Sequence, residues 1–188
     1  MAKLITETRK NIKAYLKNIY GRRYGEVVLE LDKTFVIKHG SAAVHLSIHR
    51  LSRNECVVRA LAYVVQGARI TPQLMRQLLR LNVTFPLGAY GILFDDTITF
   101  SHSIVAANLD ENELHETIRA VAHVADETDD QIRAVAGGMR AVDANASIIG
   151  AEVGPAAAPS GRARKAAGKK RAARTAAKSA GKKKTSRR

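Results

Sequence analysis

His45 and His49 are the first residues whose type and spacing suggest chemistry, because two histidines four positions apart on a helix can bind one zinc ion. Here they alternate with Val44, Leu46 and Ile48, and strict alternation predicts a strand. Four residues along a strand span about 13 Å, which is too far for a shared metal. The segment therefore predicts two solvent-facing histidines on an open sheet face, and no metal site.

Ser101, His102 and Ser103 follow Asp95 and Asp96 closely and invite the interpretation of a hydrolytic triad. No nucleophile-elbow motif surrounds either serine. If the segment is a strand, the two serines point to one face and His102 to the other, which separates the supposed partners. No glycine loop for binding phosphate is present either. The sequence therefore predicts no catalytic triad here.

Two other groups of reactive side chains have ordinary structural explanations. Cys56 has no obvious cysteine or histidine partner and is interpreted as a small residue at the start of a strand. Asp126, Glu127, Asp129 and Asp130 are interpreted as a solvated acidic face of a helix, with docking of basic peptides or of the chain's own basic residues as a second role. We predict no catalytic residue, no metal ligand and no cofactor, hence a protein that is not an enzyme.

Charge divides the chain into two unequal parts. Of the 188 residues, 1–154 hold 18 Lys or Arg and 17 Asp or Glu, a net charge of +1, whereas 155–188 hold 13 Lys or Arg and no acid, a net charge of +13. From Pro155 onward only Pro, Ala, Gly, Ser, Thr, Lys and Arg occur. Such a composition cannot bury enough apolar surface to fold, so we predict a disordered basic tail over 155–188.

The basic tail predicts binding to a polyanion, of which nucleic acid is the commonest in a cell. Acidic proteins, anionic membrane surfaces and a role in solubility alone are the alternatives. The tail has no aromatic residue on which bases could stack, so it would contact phosphates and would be indifferent to sequence. The predicted nucleic-acid-binding residues are Arg162, Arg164, Lys165, Lys169, Lys170, Arg171, Arg174, Lys178, Lys182, Lys183, Lys184, Arg187 and Arg188.

The remaining composition bears on the compartment. Cys56 is the only cysteine, which excludes an internal disulfide. The sequence contains no run of 18 apolar residues, so it predicts no membrane span. The first residues have no uninterrupted apolar core of the kind found in signal peptides. We expect a cytoplasmic protein, with nucleoid association if the tail binds DNA.

The stretch from Leu109 to Gly138 predicts the longest helix and the element that must organise the others. Asp110 and Glu113 have the spacing of a capping box, and Gly137 supplies a stop. A narrow apolar stripe runs along the helix and predicts that it lies across a flat apolar surface. The stripe consists of Leu114, Ile118, Val121, Ala125, Ile132 and Val135.

The residues before this helix predict that surface as a sheet. In chain order the sequence predicts an amphipathic helix over 4–20 and then three or four strands within 27–65, with a turn at Gly40. One face of the helix carries Leu4, Ile5, Ile12, Leu16 and Ile19, and in the first strand Val27, Leu29 and Leu31 alternate with Val28 and Glu30. A helix from Thr71 follows, with Leu74, Met75, Leu78, Leu79 and Leu81 on its apolar face, and then a hairpin turning at Asp95 and Asp96. The fold class is α+β, with helices on one face of a mostly antiparallel sheet. The predicted divisions are a domain over 1–138, a linker or frayed helix extension over 139–154, and the tail over 155–188.

Four segments in this order carry a resemblance to a known family. They are GSAAVHLSIH from Gly40, TPQLMRQLLRLN from Thr71, FPLGAYGILFDDTITFSHSI from Phe85 and ADETDDQIRAVAGG from Ala125. Together they resemble the YbjN-like family of bacterial domains, which share the fold of type III secretion chaperones. The resemblance implies an α-β-β-β-α-β-β-α domain, often dimeric, with peptide-binding or regulatory roles and no established catalytic residues. The tail lies outside it and resembles the tails of histone-like proteins.

These observations predict a non-enzymatic, chaperone-like regulator that binds a protein or peptide and is tethered to DNA or RNA by its tail. The alternative is a chaperone or regulator whose tail binds acidic proteins or anionic membranes. The resemblance also suggests a homodimer, and Leu74 to Leu81 carries more apolar residues than one packed helix face requires. Helix faces buried within one subunit are the alternative explanation for these residues.

Overall fold

The structure is a computed structural model that describes residues 2–141. Within these residues the chain alternates helices with antiparallel strands, as the sequence predicts. The elements are α1 (Ala2–Tyr20), α2 (Tyr24–Val27), β1 (Val28–Glu30), β2 (Thr34–His39), β3 (Ala42–Arg50), β4 (Cys56–Gln66), α3 (Pro72–Asn82), β5 (Ala89–Ile92), β6 (Ile98–Val105), α4 (Glu111–Ala136) and β7 (Met139–Arg140).

The strands form one open antiparallel sheet in the order β1-β2-β3-β4-β6-β5, and β7 pairs with the end of β4. On the inner face, alternate side chains of β3, β4 and β6 face α4, which packs across these three strands. Helix α1 packs beside α4 and against β3. The predicted α+β class, with helices on one face of an antiparallel sheet, is confirmed.

Helix α4 has the predicted ends and most of the predicted stripe. The Asp110 carboxylate accepts a hydrogen bond from the Glu113 N–H at 2.7 Å, which caps the first turn. At the other end Gly137 has φ of +69° and its N–H bonds the Arg133 carbonyl. The prediction is wrong for Val135, which is mostly exposed. The buried stripe continues from Ile132 to Ala136, four positions later, because residues four apart lie on the same side of a helix.

The predicted solvated acidic face of α4 is wrong for two of its four carboxylates. Asp126 accepts hydrogen bonds from both the N–H (2.7 Å) and the hydroxyl of Ser41, and Asp129 accepts a bond from the same hydroxyl at 3.2 Å. Asp129 is only 6% exposed. The bonds from Ser41 hold the pKa of Asp126 below its usual value. These carboxylates fasten the turn between β2 and β3 to the long helix.

The other two carboxylates of this group do lie on the surface, where each has a basic neighbour. Glu127 lies 3.3 Å from His123, and Asp130 lies 3.1 Å from Arg133. Both pairs are one helical turn apart on α4. Asp130 pairs with an arginine, whereas Glu127 faces a histidine and Asp126 and Asp129 bond a neutral hydroxyl, so the group retains most of its negative charge.

The edge of the sheet near β1 departs from the predicted pattern. The sequence predicts Val27 and Leu29 on the same buried face of a strand. In the structure a short helical turn ends at Val27, so the strand begins at Val28 and its inward-facing positions are shifted by one residue. As a result Val28 is buried and Leu29 is exposed. A one-residue shift exchanges the faces of every side chain in a strand.

Two further local predictions differ from the structure. In α1 the predicted apolar residue Ile5 is exposed, and Thr8 lies on the packed face instead, with its hydroxyl 3.3 Å from the Cys56 sulfur. Residues 139–154 are predicted as a linker or a helix extension, yet Met139 and Arg140 pair with β4 as strand β7. Residues 142–154 and the predicted tail lie outside the described residues.

The turn anchored to α4 generates a stability prediction. Gly40 has φ of +56°, and a Cβ added there would lie 2.8 Å from an Asp126 carboxylate oxygen. Gly40→Ala should therefore cost about 2 kcal/mol or more, since backbone strain and steric conflict add. Gly21→Ala, which has φ of +51° but open space around the added Cβ, should cost about 1 kcal/mol. Chemical denaturation of the full chain gives these values, and equal costs at the two positions would contradict the role of the Asp126 contact.

Candidate peptide-binding surface

Helix α3 begins as the sequence predicts. The Thr71 hydroxyl accepts a hydrogen bond from the Leu74 N–H at 3.2 Å, and Pro72 occupies the first helical position. Leu74 and Leu78 are then buried against the sheet. These contacts fix one side of the helix firmly to the domain.

The side of α3 next to the packed one is also apolar, and here the predicted packed face is wrong. Met75 and Leu79 are exposed and are followed four positions later by the exposed Val83, just past the end of the helix. Spacing by four places them in one row along the surface of α3. Only Leu74 and Leu78 of the five predicted core residues are fully buried. The helix therefore has two apolar faces and uses one of them within the described residues.

The exposed apolar row continues onto the adjacent edge of the sheet. The Asn82 side chain donates a hydrogen bond to the Tyr90 carbonyl (3.3 Å) and accepts one from the Tyr90 N–H (2.7 Å), which holds the end of α3 beside β5. Further exposed apolar side chains follow along this part of the chain. We call the whole set the α3–β5 surface, and it consists of Met75, Leu79, Val83, Leu87, Ile92 and Phe94.

An aromatic cluster lies beneath the link between α3 and β5. The rings of Phe85, Tyr90 and Phe100 meet edge to face with centroids 5.1–5.7 Å apart. The Tyr90 hydroxyl donates to Thr128 of α4 at 2.7 Å. A Cβ added to Gly88 would lie 2.6 Å from the Phe100 ring, so the link between α3 and β5 fits closely over the cluster. The link between α3 and β5 is therefore well packed.

Strand β5 is also one edge of the described sheet, and its backbone is partly available. Because Asn82 bonds both backbone groups of Tyr90, those groups point away from β6. In an antiparallel pair the backbone groups of successive residues point alternately toward and away from the neighbouring strand. The backbone groups of Ile92 therefore point to the same open side as those of Tyr90. An extended peptide can add to such an edge by backbone hydrogen bonding.

The charges beside this surface are positive. Helix α3 carries Arg76 and Arg80, both exposed, and its sequence from Pro72 to Asn82 contains no acid. Across the hairpin, Asp95 and Asp96 form the turn between β5 and β6. The helix side of the surface therefore favours partners that carry negative charge near their apolar residues.

A concave feature lies beside the first half of α4, and the sequence analysis did not find it. It is a cavity of about 400 Å³ between the end of α1, the turn after β2 and the first half of α4. Arg23, Lys38, His39, His115 and Arg119 are among its lining residues. They come from three separate stretches of the chain, and the spacing of His115 and Arg119 by four on a helix was the one available sequence signal.

The residues considered for catalysis or metal binding occupy ordinary positions. The register of β6 with β4 pairs His102 with Ala60 and Ser103 with Arg59, so His102 and the serines lie on opposite faces as predicted. Cys56 is buried at the start of β4, also as predicted. Among residues 2–141 no group of three or more His, Cys, Asp or Glu side chains has the arrangement of a metal site.

His45 and His49 share the outer face of the sheet, but the predicted solvent exposure is wrong for His45. Its ring is half-buried and meets Tyr63 edge to face at 5.1 Å. Burial lowers the pKa of His45 to about 4. His49 lies 2.7 Å from the Ser47 hydroxyl, and burial and the nearby Arg59 charge lower its pKa as well. The two histidines are therefore parts of the sheet surface.

Comparison with protein families agrees with this architecture. The model of the peptide-binding chaperone family described as "T3SS (YopN, CesT) and YbjN peptide-binding chaperone 1" matches residues 7–144. The chain belongs to this family. A crystal structure of YbjN from E. coli is similar, with 13% sequence identity and a TM-score of 0.44, over 65% of this chain and 91% of that one. No curated protein matches the chain.

Because the family is one of peptide-binding chaperones, the exposed apolar row and the open sheet edge are the candidate peptide-binding features of the domain. In the described part of the chain no helix is long and apolar enough to cross a membrane. The thirteen cations predicted to bind nucleic acid all lie in 162–188, outside both the family match and the described residues. Their role stays a prediction.

The burial of His45 in this chaperone domain predicts a pH-dependent stability. The folded pKa of about 4 lies below the ordinary value of 6.5. Between these values the unfolded chain binds a proton that the folded chain does not, so stability should fall as the pH is lowered from 6.5 to 4, by at most ~3 kcal/mol. His45→Leu should remove this part of the acid sensitivity, whereas His49→Leu should remove less. Denaturation at a series of pH values tests this, and identical slopes for wild type and His45→Leu would contradict it.

Proposed function

We propose that the folded domain acts as a non-enzymatic chaperone-like regulator that binds an apolar segment of a partner protein on the α3–β5 surface. Two observations support the proposal. The chain belongs to a peptide-binding chaperone family, and six large apolar side chains lie exposed on or near α3 and the edge strand β5. We infer the position of the binding site from one observation, the exposed row of Met75, Leu79 and Val83 along α3.

Two modes of contact would act together on this surface. Apolar side chains of the partner would cover the row along α3, and an extended part of the same segment would add to the edge of β5 at Ile92. Covering a mostly exposed leucine or valine contributes ~1 kcal/mol or more. Association and ordering of the peptide offset much of this gain. We therefore expect micromolar affinities and tolerance of different apolar sequences.

A matched pair of substitutions tests the surface. Leu79 is 66% exposed on α3, and Leu51 is 62% exposed in the loop after β3, away from the proposed site. Leu79→Asp should weaken binding at least tenfold, because it removes apolar contact and places a charge in the interface. Leu51→Asp should leave binding unchanged, and neither variant should alter the melting temperature much. Fluorescence anisotropy with labelled leucine-containing peptides, and an array of such peptides, measure the effect.

The outcomes of this test separate a partner protein from a second copy of the chain. Equal binding by both variants would show that peptides attach elsewhere. If wild type binds no peptide and light scattering shows a dimer that Leu79→Asp converts to a monomer, the surface is a dimer interface, as the excess of apolar residues in α3 also allows. A monomer that binds peptide through Leu79 supports the proposal.

We propose further that the basic tail over 155–188 tethers the protein to DNA or RNA, within the cytoplasm and associated with the nucleoid. The support is the division of charge, +1 over 1–154 and +13 over 155–188. A chain with many cations and no acid is attracted to phosphates, whatever the base sequence. The alternative is that the tail binds acidic proteins or anionic membrane surfaces.

The salt dependence of DNA binding tests the tail. If about six to ten of the thirteen cations contact phosphates, the logarithm of affinity should fall with the logarithm of salt with a slope of about −5 to −9. Replacing Lys182, Lys183 and Lys184 by alanine should lower the magnitude of the slope by up to about three. Replacing the same three by arginine keeps the charge and should leave the slope near the wild-type value.

Three results would decide against the nucleic-acid tether. Deletion of 155–188 without loss of DNA affinity would place the binding site on the folded domain. Strong preference for one DNA sequence would contradict contact through phosphates alone. Absence of DNA and RNA binding at moderate salt, with binding to vesicles that contain anionic lipid, would favour the membrane alternative.

A further inference from the structure

The cavity beside α4 is lined by positive charge that the domain does not neutralise. Arg23, Lys38 and Arg119 contribute to its lining, together with two histidines. Among the described residues no carboxylate forms an ion pair with Arg23 or Lys38, whereas Lys13 pairs with Glu30 at 2.8 Å on the neighbouring surface. The folded domain therefore concentrates unpaired cations around one concave site.

Two carboxylates lie near the cavity, and neither forms an ion pair with Arg23 or Lys38. Glu116 bonds Arg119 at 2.7 Å and takes up part of its charge. Asp126 acts on His39, and one of its oxygens accepts both hydrogen bonds from Ser41 at the turn after β2. The charge of Arg23 acts on the Tyr20 hydroxyl within the same cavity. A negatively charged ligand would meet Arg23 without displacing an internal partner.

The rest of the lining is apolar, and this restricts the kind of anion. Tyr20, Val27 and Ile118 contribute to the walls, and Val27 and Ile118 are core residues. A volume of about 400 Å³ is larger than a simple inorganic anion requires and lies in the range of ligand pockets. An apolar wall with a cationic rim matches a ligand that joins a carboxylate to an apolar group. An acidic peptide with a neighbouring apolar residue has this chemistry.

The basic residues over 155–188 do not suit the site. They carry thirteen cations and no acid, so like charges would oppose their entry into a cavity lined by Arg23, Lys38 and Arg119. A second protein must supply the acidic segment. The site thus differs in chemistry from the phosphate-binding role proposed for the tail.

We propose that this cavity binds a glutamate or aspartate side chain, with an adjacent apolar residue, of the peptide that the domain recognises. The proposal rests on the peptide-binding function proposed above and gives it a charge preference. Apolar residues of the partner would lie on the α3–β5 surface, and an acidic residue elsewhere in the same partner would enter the cavity. The partner segment is then acidic and apolar, with the two features spaced far enough apart to reach both sites.

The test compares two neighbouring arginines in the full chain. Arg23 lines the cavity, and Arg22 is an exposed residue of the same turn that does not. The probes are two fluorescein-labelled peptides that contain leucines with either three glutamates or three glutamines. Arg23→Gln should weaken binding of the glutamate peptide about three- to tenfold, as expected for loss of one charge-assisted contact. Arg22→Gln should not, and binding of the glutamine peptide should change in neither variant.

Site mapping completes the experiment. Titration of the isotope-labelled full chain with the glutamate peptide should shift the backbone amide signals around Arg23, His39 and His115. Equal effects of Arg22→Gln and Arg23→Gln, or amide shifts confined to 155–188, would overturn the proposal. Shifts at the cavity with inorganic phosphate but not with the glutamate peptide would show a phosphate site and would overturn it as well.

The same data separate this proposal from the function on which it rests. If both peptides bind equally and Leu79→Asp abolishes both interactions, the α3–β5 surface is correct and the charge preference is wrong. If neither peptide binds while phosphate does, the peptide-binding function itself fails.

Discussion

Burial of one stripe of α4 against the sheet is the contact on which the rest of the structure depends. Leu114, Ile118 and Val121 lie on the stripe and are almost fully buried, as are Ala60 and Ala62 on the facing strand β4. Small side chains on the sheet leave room for a long helix to lie close to the strands. The first half of α4 then contributes His115 and Arg119 to the cavity, and its second half holds the aromatic cluster through Thr128.

Elements with a strong periodic pattern could be predicted from the sequence. The cap at Asp110, the stop at Gly137 and the alternation of β3 are local signals, each read from a few neighbouring residues. The errors occur where a local pattern is ambiguous in phase or where tertiary contacts decide. Val28 and Leu29 are both apolar, so alternation alone cannot say which is buried. Asp129 has a charged side chain in the middle of a buried stripe, where it accepts hydrogen bonds from the Ser41 hydroxyl, 88 positions away, and from the Asp130 N–H.

The candidate sites were less predictable than the fold, because both depend on which surface remains uncovered. The sequence identifies α3 as rich in apolar residues, but it cannot distinguish a helix buried on two sides from one with an exposed row at Met75 and Leu79. The cavity was even harder to predict from the sequence. Its cations stand at positions 23, 38 and 119, and nothing in the local sequence indicates that three ordinary surface cations converge. Convergence of distant residues is a property of the topology alone.

The two candidate features of the domain place different demands on a partner. The α3–β5 surface offers exposed apolar side chains, whereas the cavity beside α4 is lined by Arg23, Lys38 and Arg119. Apolar contact tolerates many sequences, and a charged contact adds specificity for a complementary charge. A partner that used both features would therefore be held by its apolar residues and selected by its acidic one.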